Sequence, residues 1–200
     1  MHKSEYSAGA VKMSFWFAEF RKVVTMLRSG KTIQEIKALA VNENLFSAAT
    51  AMRSGQIWST VSARVTSLPD DYYILFEDSG LETQKLIALL SVMETDALFF
   101  DFMNDVYKEK LIIGDTQITD ADIRVFFADK QRQSEKVSAW TDETLIRLQR
   151  CYKTYLSEAG LLERGVGDRK IIKQLIDDRF ARLLSETNRK QAYNILTGTR

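Results

Sequence analysis

The sequence predicts a mostly α fold, a helical bundle with two helix-turn-helix-like units, of which the C-terminal one is a winged helix with a small β-hairpin. Three observations carry that prediction. Apolar residues recur at helical spacing along nearly the whole 200-residue chain. Glycine and proline are scarce, at 9 and 1, so compact helices joined by short turns are expected, with no linker between them. Only Leu161 to Lys173 leaves that periodicity. It reads Leu161-Leu162-Glu163-Arg164, a Gly165-Val166-Gly167 turn, then Asp168-Arg169-Lys170-Ile171-Ile172-Lys173, the pattern of a short basic hairpin.

The helices follow in order. The first spans about Ser14 to Ser29, with Phe17, Phe20, Val24 and Leu27 on one stripe and Gly30 as its stop. Thr32-Ile33-Gln34-Glu35 is a capping box and opens the second. A turn over Asn42 to Ala49 leads to a third, about Ser54 to Ser67, with Ile57, Val61, Val65 and Leu68 inward. Pro69 suits the first turn of a short helix through Phe76. Thr83 to Met93 is apolar almost all round and marks a central buried helix. Thr95 to Lys110 places Leu98, Phe99, Phe102, Met103 and Val106 inward. Thr119 starts a further helix, a short one follows near Ser134, and a longer one runs from Thr141 to Ala159 before Gly160. Asp178 to Leu184 and Arg189 to Leu196 close the chain helically. The predicted organisation is residues 1–68 as the N-terminal helix-turn-helix-like unit, 69–118 as acidic central helices, and 119–200 as the winged-helix unit plus C-terminal helices.

With 45% hydrophobic and 28% charged residues the chain has material for a proper core. One cysteine, Cys151, excludes an intramolecular disulfide and a cysteine-based zinc cluster. His2 is the one histidine, so no Cys–His or Ser–His pair forms in a folded region. No catalytic residue, metal or cofactor is expected, and the protein is read as not an enzyme. The start lacks the apolar stretch of a secretory signal. The most apolar run, Leu86 to Met93, falls far short of the ~18–20 residues that cross a bilayer. A cytoplasmic protein without a membrane span is expected.

The net charge of +1 hides a segregation. Residues 1–66 carry 9 Lys/Arg against 4 Asp/Glu, residues 67–118 carry 3 against 11, and residues 119–200 carry 16 against 12. Basic ends around an acidic middle point to a polyanion at the ends and a different role for the middle.

Two surfaces are candidates for double-stranded DNA. On the helix Thr141–Ala159, Leu145, Leu148, Tyr152, Tyr155, Leu156 and Ala159 share one face, with Arg147, Arg150, Thr154 and Ser157 opposite and Lys153 at the edge. A recognition helix needs that division, an apolar side facing its own domain and basic or polar groups reaching phosphates and base edges. The hairpin adds Arg164, Arg169 and Lys170. In the N-terminal unit, the third helix presents Gln56, Ser59, Thr60 and Ala63, flanked by Arg53 and Arg64. Its preceding turn is longer than that of a standard helix-turn-helix. Neutralising about 4–6 phosphates would give a log–log salt slope of about −4 to −5.

Other features read as structure. Phe99, Phe100, Phe102, Tyr107, Phe126 and Phe127 fit core packing better than base stacking. Asp96, Asp101, Asp105 and Glu109 follow helical spacing and fit a solvated face or a dock for a basic partner better than a metal site. Arg147 and Arg150 beside Cys151 would lower its thiol pKa, although a lone cysteine is usually just a small side chain.

The stretches Glu82 to Asp115 and Asp122 to Trp140 resemble the BrxA family of the bacterial BREX phage-exclusion systems. Tyr6-Ser7-Ala8-Gly9, Glu43-Asn44-Leu45-Phe46 and Tyr155 to Leu162 add to the likeness, which covers roughly Tyr6 to Leu184. The resemblance implies a non-catalytic, cytoplasmic component of a defence system that methylates host DNA and blocks phage replication, with other BREX proteins as partners. Members are also likened to the RNA-binding antitermination protein NusB, and some are described as inner-membrane proteins, a description that finds no support in this sequence. The family supplies no catalytic motif. The expected function is therefore non-enzymatic binding of double-stranded DNA with low sequence specificity. A protein-docking adaptor within the BREX assembly and an RNA-binding protein are the alternatives.

Overall fold

The computed structural model describes residues 5–200; His2 lies outside the described residues. After a 3-10 turn at Gly9–Lys12, the chain forms α1 (Phe17–Arg28), α2 (Ile33–Asn42), α3 (Ala51–Thr66), α4 (Asp71–Glu77) and α5 (Leu81–Thr95). α6 (Ala97–Phe102) continues as a π-helical stretch, Met103–Lys108, and ends as α7 (Glu109–Ile112). There follow β1 (Gln117–Ile118), α8 (Asp120–Gln133), α9 (Glu135–Ser138), α10 (Asp142–Glu158), β2 (Arg169–Lys170), α11 (Asp178–Glu186) and α12 (Lys190–Thr197).

Local chemistry sets most boundaries. Thr32 and Glu35 form the expected capping box at α2, and Thr119 with Asp122 forms a second one at α8. Thr50, Asp96, Ser134 and Thr141 cap α3, α6, α9 and α10 through their side chains. Gly30 (φ 90) and Gly160 (φ 84) take the left-handed conformation after α1 and α10. The long turn before α3 is held by Asn44, whose side-chain amide bonds both the N–H and the carbonyl of Ala48 at 2.8 Å.

α5 is the buried axis. Leu86 through Leu90, Val92 and Met93 are each 2% exposed or less, and α1, α3, α4, α6 and α10 all pack on this helix. An aromatic cluster joins α6, α8 and α10: Phe99, Phe102, Phe126, Phe127, Tyr152 and Tyr155 meet at centroid separations of 5.1 to 6.2 Å. These rings are core, as their spacing suggests. Burying each removes on the order of 150–250 Å² from water, and edge-to-face contacts such as Phe102 with Phe126 add about 0.5–1.5 kcal/mol. One core runs from Ala10 to Leu196 through all three charge segments.

The hairpin forms where it was expected, but with a strand the sequence did not announce. β1 pairs antiparallel with β2, Gln117 opposite Lys170 and Ile118 opposite Arg169. Leu162 bridges Ile171 on the other side, and Glu163 N–H donates to the Lys170 carbonyl at 2.9 Å. The order is thus 117–118, then 169–171, then 161–163, with Arg164 to Asp168 as the connecting loop. Among the described residues no helix is long and apolar enough to cross a membrane.

Candidate nucleic-acid interface

The chain from Glu5 to Trp16 decides what α3 and α10 can present. It is tied down by Arg53, whose guanidinium donates to the Lys12 carbonyl, and by Tyr155, whose hydroxyl donates to the Met13 carbonyl. Arg64 donates to the carbonyls of Ser14 (3.0 Å) and Phe15 (2.7 Å). Trp16 sits at φ 52, a costly conformation for a large residue, with the Arg53 and Arg64 guanidinium groups 5.1 and 5.9 Å from its ring centroid.

This arrangement corrects the outward placement expected of Arg64. The residue is 4% exposed, and its charge satisfies two carbonyls of a segment that makes no backbone ladder there. Burial lowers its pKa, partly offset by Tyr155 and Asp96. Ser59 stays exposed while Thr60 is half-buried, and both line a recess of about 260 Å³ closed on its other side by Ser7, Gly9 and Met13. Gln56 is exposed and accepts a hydrogen bond from Arg53.

Lys153 is corrected in the same way. It is 4% exposed; its ammonium reaches Asp120 Oδ1 at 2.5 Å and the Gly167 carbonyl at 3.0 Å. The hydrogen bond from Lys153 is the leading reason Asp120 titrates below the usual carboxylate range. Arg169 is half-buried and donates to the Lys153 carbonyl and Ser157 Oγ, stapling β2 to α10. Burial lowers its pKa, and its Nε has no partner among the described residues. These two cations hold the hairpin in place, and Lys153 is too buried to meet phosphate.

Arg147, Arg150, Thr154, Arg164 and Lys170 are exposed. The first turn of α10 carries Asp142 and Glu143, both exposed, so the helix presents positive charge from its middle and not from its N-terminus. Arg150 and Thr154 face a recess of about 310 Å³ whose other walls bring Lys12 and Arg53. The two basic ends of the sequence therefore meet on one face. Glu158 lines this recess and also a neighbouring one of about 380 Å³, where it and Glu19 stand with Lys85 and Arg164, so charge balances there before the hairpin is reached. Burial raises the Glu158 pKa, with Arg164 opposing. Lys12 was not singled out in the sequence, because it lies in no amphipathic helix and its neighbours are tertiary.

The other candidate groups resolve as structure. Burial raises the Cys151 thiol, outweighing Arg147 and reversing the expected depression. Asp96 caps α6 by accepting from Phe99 N–H at 3.0 Å, and burial pushes its pKa to about 6. Asp101 and Asp105 both pair with Lys130, at 2.6 and 3.1 Å. Among the described residues no group of His, Cys, Asp or Glu is arranged to hold a metal.

Fold and surface together define a helical protein with a helix–strand–helix–helix–helix–hairpin unit and one basic face built from both ends of the chain. The family model for BrxA matches residues 4–188, and the chain belongs to that family. It is 44% identical over 162 residues, 80% of each chain, to a protein of Bacillus cereus (strain H3081.97) described as "BREX protein BrxA". Its fold is similar to the crystal structure of an uncharacterized protein from Magnetospirillum magneticum, with a TM-score of 0.80 at 15% identity over 98% of this chain and all of that one.

Proposed function

We propose that this chain is a non-enzymatic double-stranded DNA-binding component of a BREX phage-defence system. The observation that carries the reading is the meeting of Lys12, Arg53 and Arg150 around one recess, with Arg147 one helical turn before Arg150 and Arg164 in the neighbouring recess that shares Glu158. Three separate elements converge there on positive charge, the requirement for following a phosphate line. The order of elements from Ala97 to Lys173 supports a winged helix: a first helix, β1, α8 with α9, α10 as recognition helix, and Arg164 to Asp168 as the wing. Arg147, Arg150 and Thr154 would contact the duplex from the middle of α10, with Arg164 and Lys170 on an adjacent phosphate line.

Arg64, Lys153 and Arg169 act as scaffold in this reading, and Lys12 joins the contact set. About 4–5 neutralised phosphates would give a salt slope of about −4. Few of the exposed groups suit bidentate base contacts, so discrimination among sequences is weak. The test is fluorescence anisotropy of purified protein with a ~30-base-pair duplex, its single strands and matched RNA, the duplex covering about 3 helical turns. Preference for the duplex supports the reading; preference for RNA or no binding overturns it.

A further inference from the structure

A second surface lies apart from the basic face. The π-helical stretch, α7 and α8 enclose a groove of about 520 Å³, a volume in the range of ligand-binding clefts. We propose that this groove docks a basic amphipathic helical segment of a partner protein.

Its apolar content is exposed where a monomer has no use for it. Val125 on α8 is 62% exposed and Ile113, just after α7, is 70% exposed, above a floor that includes Val106 and Phe126. Its charge is negative. Both lysines of the lining are committed: Lys110 to Asp115 and Asp122 at 2.8 and 2.9 Å, Lys130 to Asp101 and Asp105 at 2.6 and 3.1 Å. Glu109 has Lys108 only at 4.0 Å, and Asp129 pairs with Arg132, whose side chain is 76% exposed and readily displaced. The groove therefore offers an apolar strip flanked by Glu109 and Asp129. Such a surface repels nucleic acid and an anionic membrane and complements a cationic partner.

The walls also choose the partner's conformation. They are helical and their backbone groups are bonded internally, so an extended strand would find no ladder to join. Side chains alone make the contact, as when an amphipathic helix lies in a groove. The α8 wall runs from Ala121 to Gln133, about 18 Å at the helical rise, which matches about three turns of a docked helix. Leu or Ile at i and i+4 would cover Val125 and Ile113, with Arg or Lys beside Glu109 and Asp129. The groove shares no lining residue with the recess around Arg53 and Arg150, so partner and polyanion can be held at once.

The test uses a fluorescein-labelled peptide, LRRLLRRLLRRLLR, of about four helical turns, and its counterpart with Glu in place of Arg. Saturable binding of the Arg peptide is expected, with no binding of the Glu peptide. Glu109→Lys with Val125→Lys alters two exposed groove residues and should weaken binding about tenfold while leaving the thermal midpoint unchanged. Asp70→Lys with Glu82→Lys, exposed acids elsewhere, should leave affinity within about twofold, as expected for charges outside the contact. Equal losses in the two variants would reduce the binding to generic charge and overturn the proposal. So would no binding by the wild type, or a self-association in sedimentation that the groove variant abolishes.

Discussion

Lys153 Nζ lies 2.5 Å from Asp120 Oδ1 and 3.0 Å from the Gly167 carbonyl, so one buried ammonium ties the start of α8 to the loop of the hairpin. Asp168 completes the tie by accepting the Asp120 backbone N–H at 2.8 Å. The hairpin that carries Arg164 and Lys170 is thus positioned by a buried cation. Replacing Lys153 with Met leaves Asp120 without its main partner. Because that carboxylate is about a third exposed, the expected loss is below the full cost of breaking a buried pair, about 1–3 kcal/mol, read by urea unfolding at pH 7.

The same pair gives an acid limb to stability. Asp120 titrates lower in the folded protein than its ordinary 3.8, chiefly through the Lys153 hydrogen bond. A carboxylate with a lowered folded pKa contributes stability at neutral pH that is lost as pH falls below 3.8 through the folded value. Unfolding free energies measured down through that window should fall less steeply in Lys153→Met than in the wild type.

Asp96 gives the opposite slope. Burial raises its pKa from 3.8 to about 6, so its contribution is largest in acid and is lost as pH rises through about 6. Asp96→Asn keeps a good N-cap for α6 and removes the titration. Between about pH 5 and 7 the wild type should lose about 1–2 kcal/mol that the variant does not. Parallel profiles would place the raised carboxylate elsewhere.

Arg64→Met should act on the fold. It strips the donors from the Ser14 and Phe15 carbonyls and the stacking from Trp16. A loss of about 2–4 kcal/mol is expected in denaturant unfolding. The salt slope of duplex binding by the folded fraction should not change, since the residue faces no phosphate. A slope reduced by about 1 would return Arg64 to the contact set.

The core and the helix starts marked by capping pairs were legible because they rest on local chemistry, whereas α1 and α3 begin at Phe17 and Ala51 and not at the expected Ser14 and Ser54. Thr32 with Glu35, Thr119 with the acid at 122, and the all-round apolar run of α5 each speak within a few residues. The two-residue β1 is too short to show alternation, and the π-helical stretch has no pattern of its own. Lys153 sits at the edge of its helical face, and what buries it is Asp120, 33 residues away. Arg64 looks solvent-facing by periodicity until the Ser14–Phe15 backbone crosses it, 50 and 49 residues earlier. The meeting of Lys12, Arg53 and Arg150 is likewise tertiary, and no single window of sequence contains it.

The salt dependence of duplex binding, compared between the wild type and Lys12→Glu with Arg150→Glu, tests the shared basic face most directly, because neither side chain holds the fold as Arg53 does. Both residues border the same recess, one on each end of the chain. The wild-type log–log slope should be about −4, and the double variant should lose about 2 from it together with most of its affinity at low salt. An unchanged slope in the variant, or a wild-type slope near zero, would contradict the account.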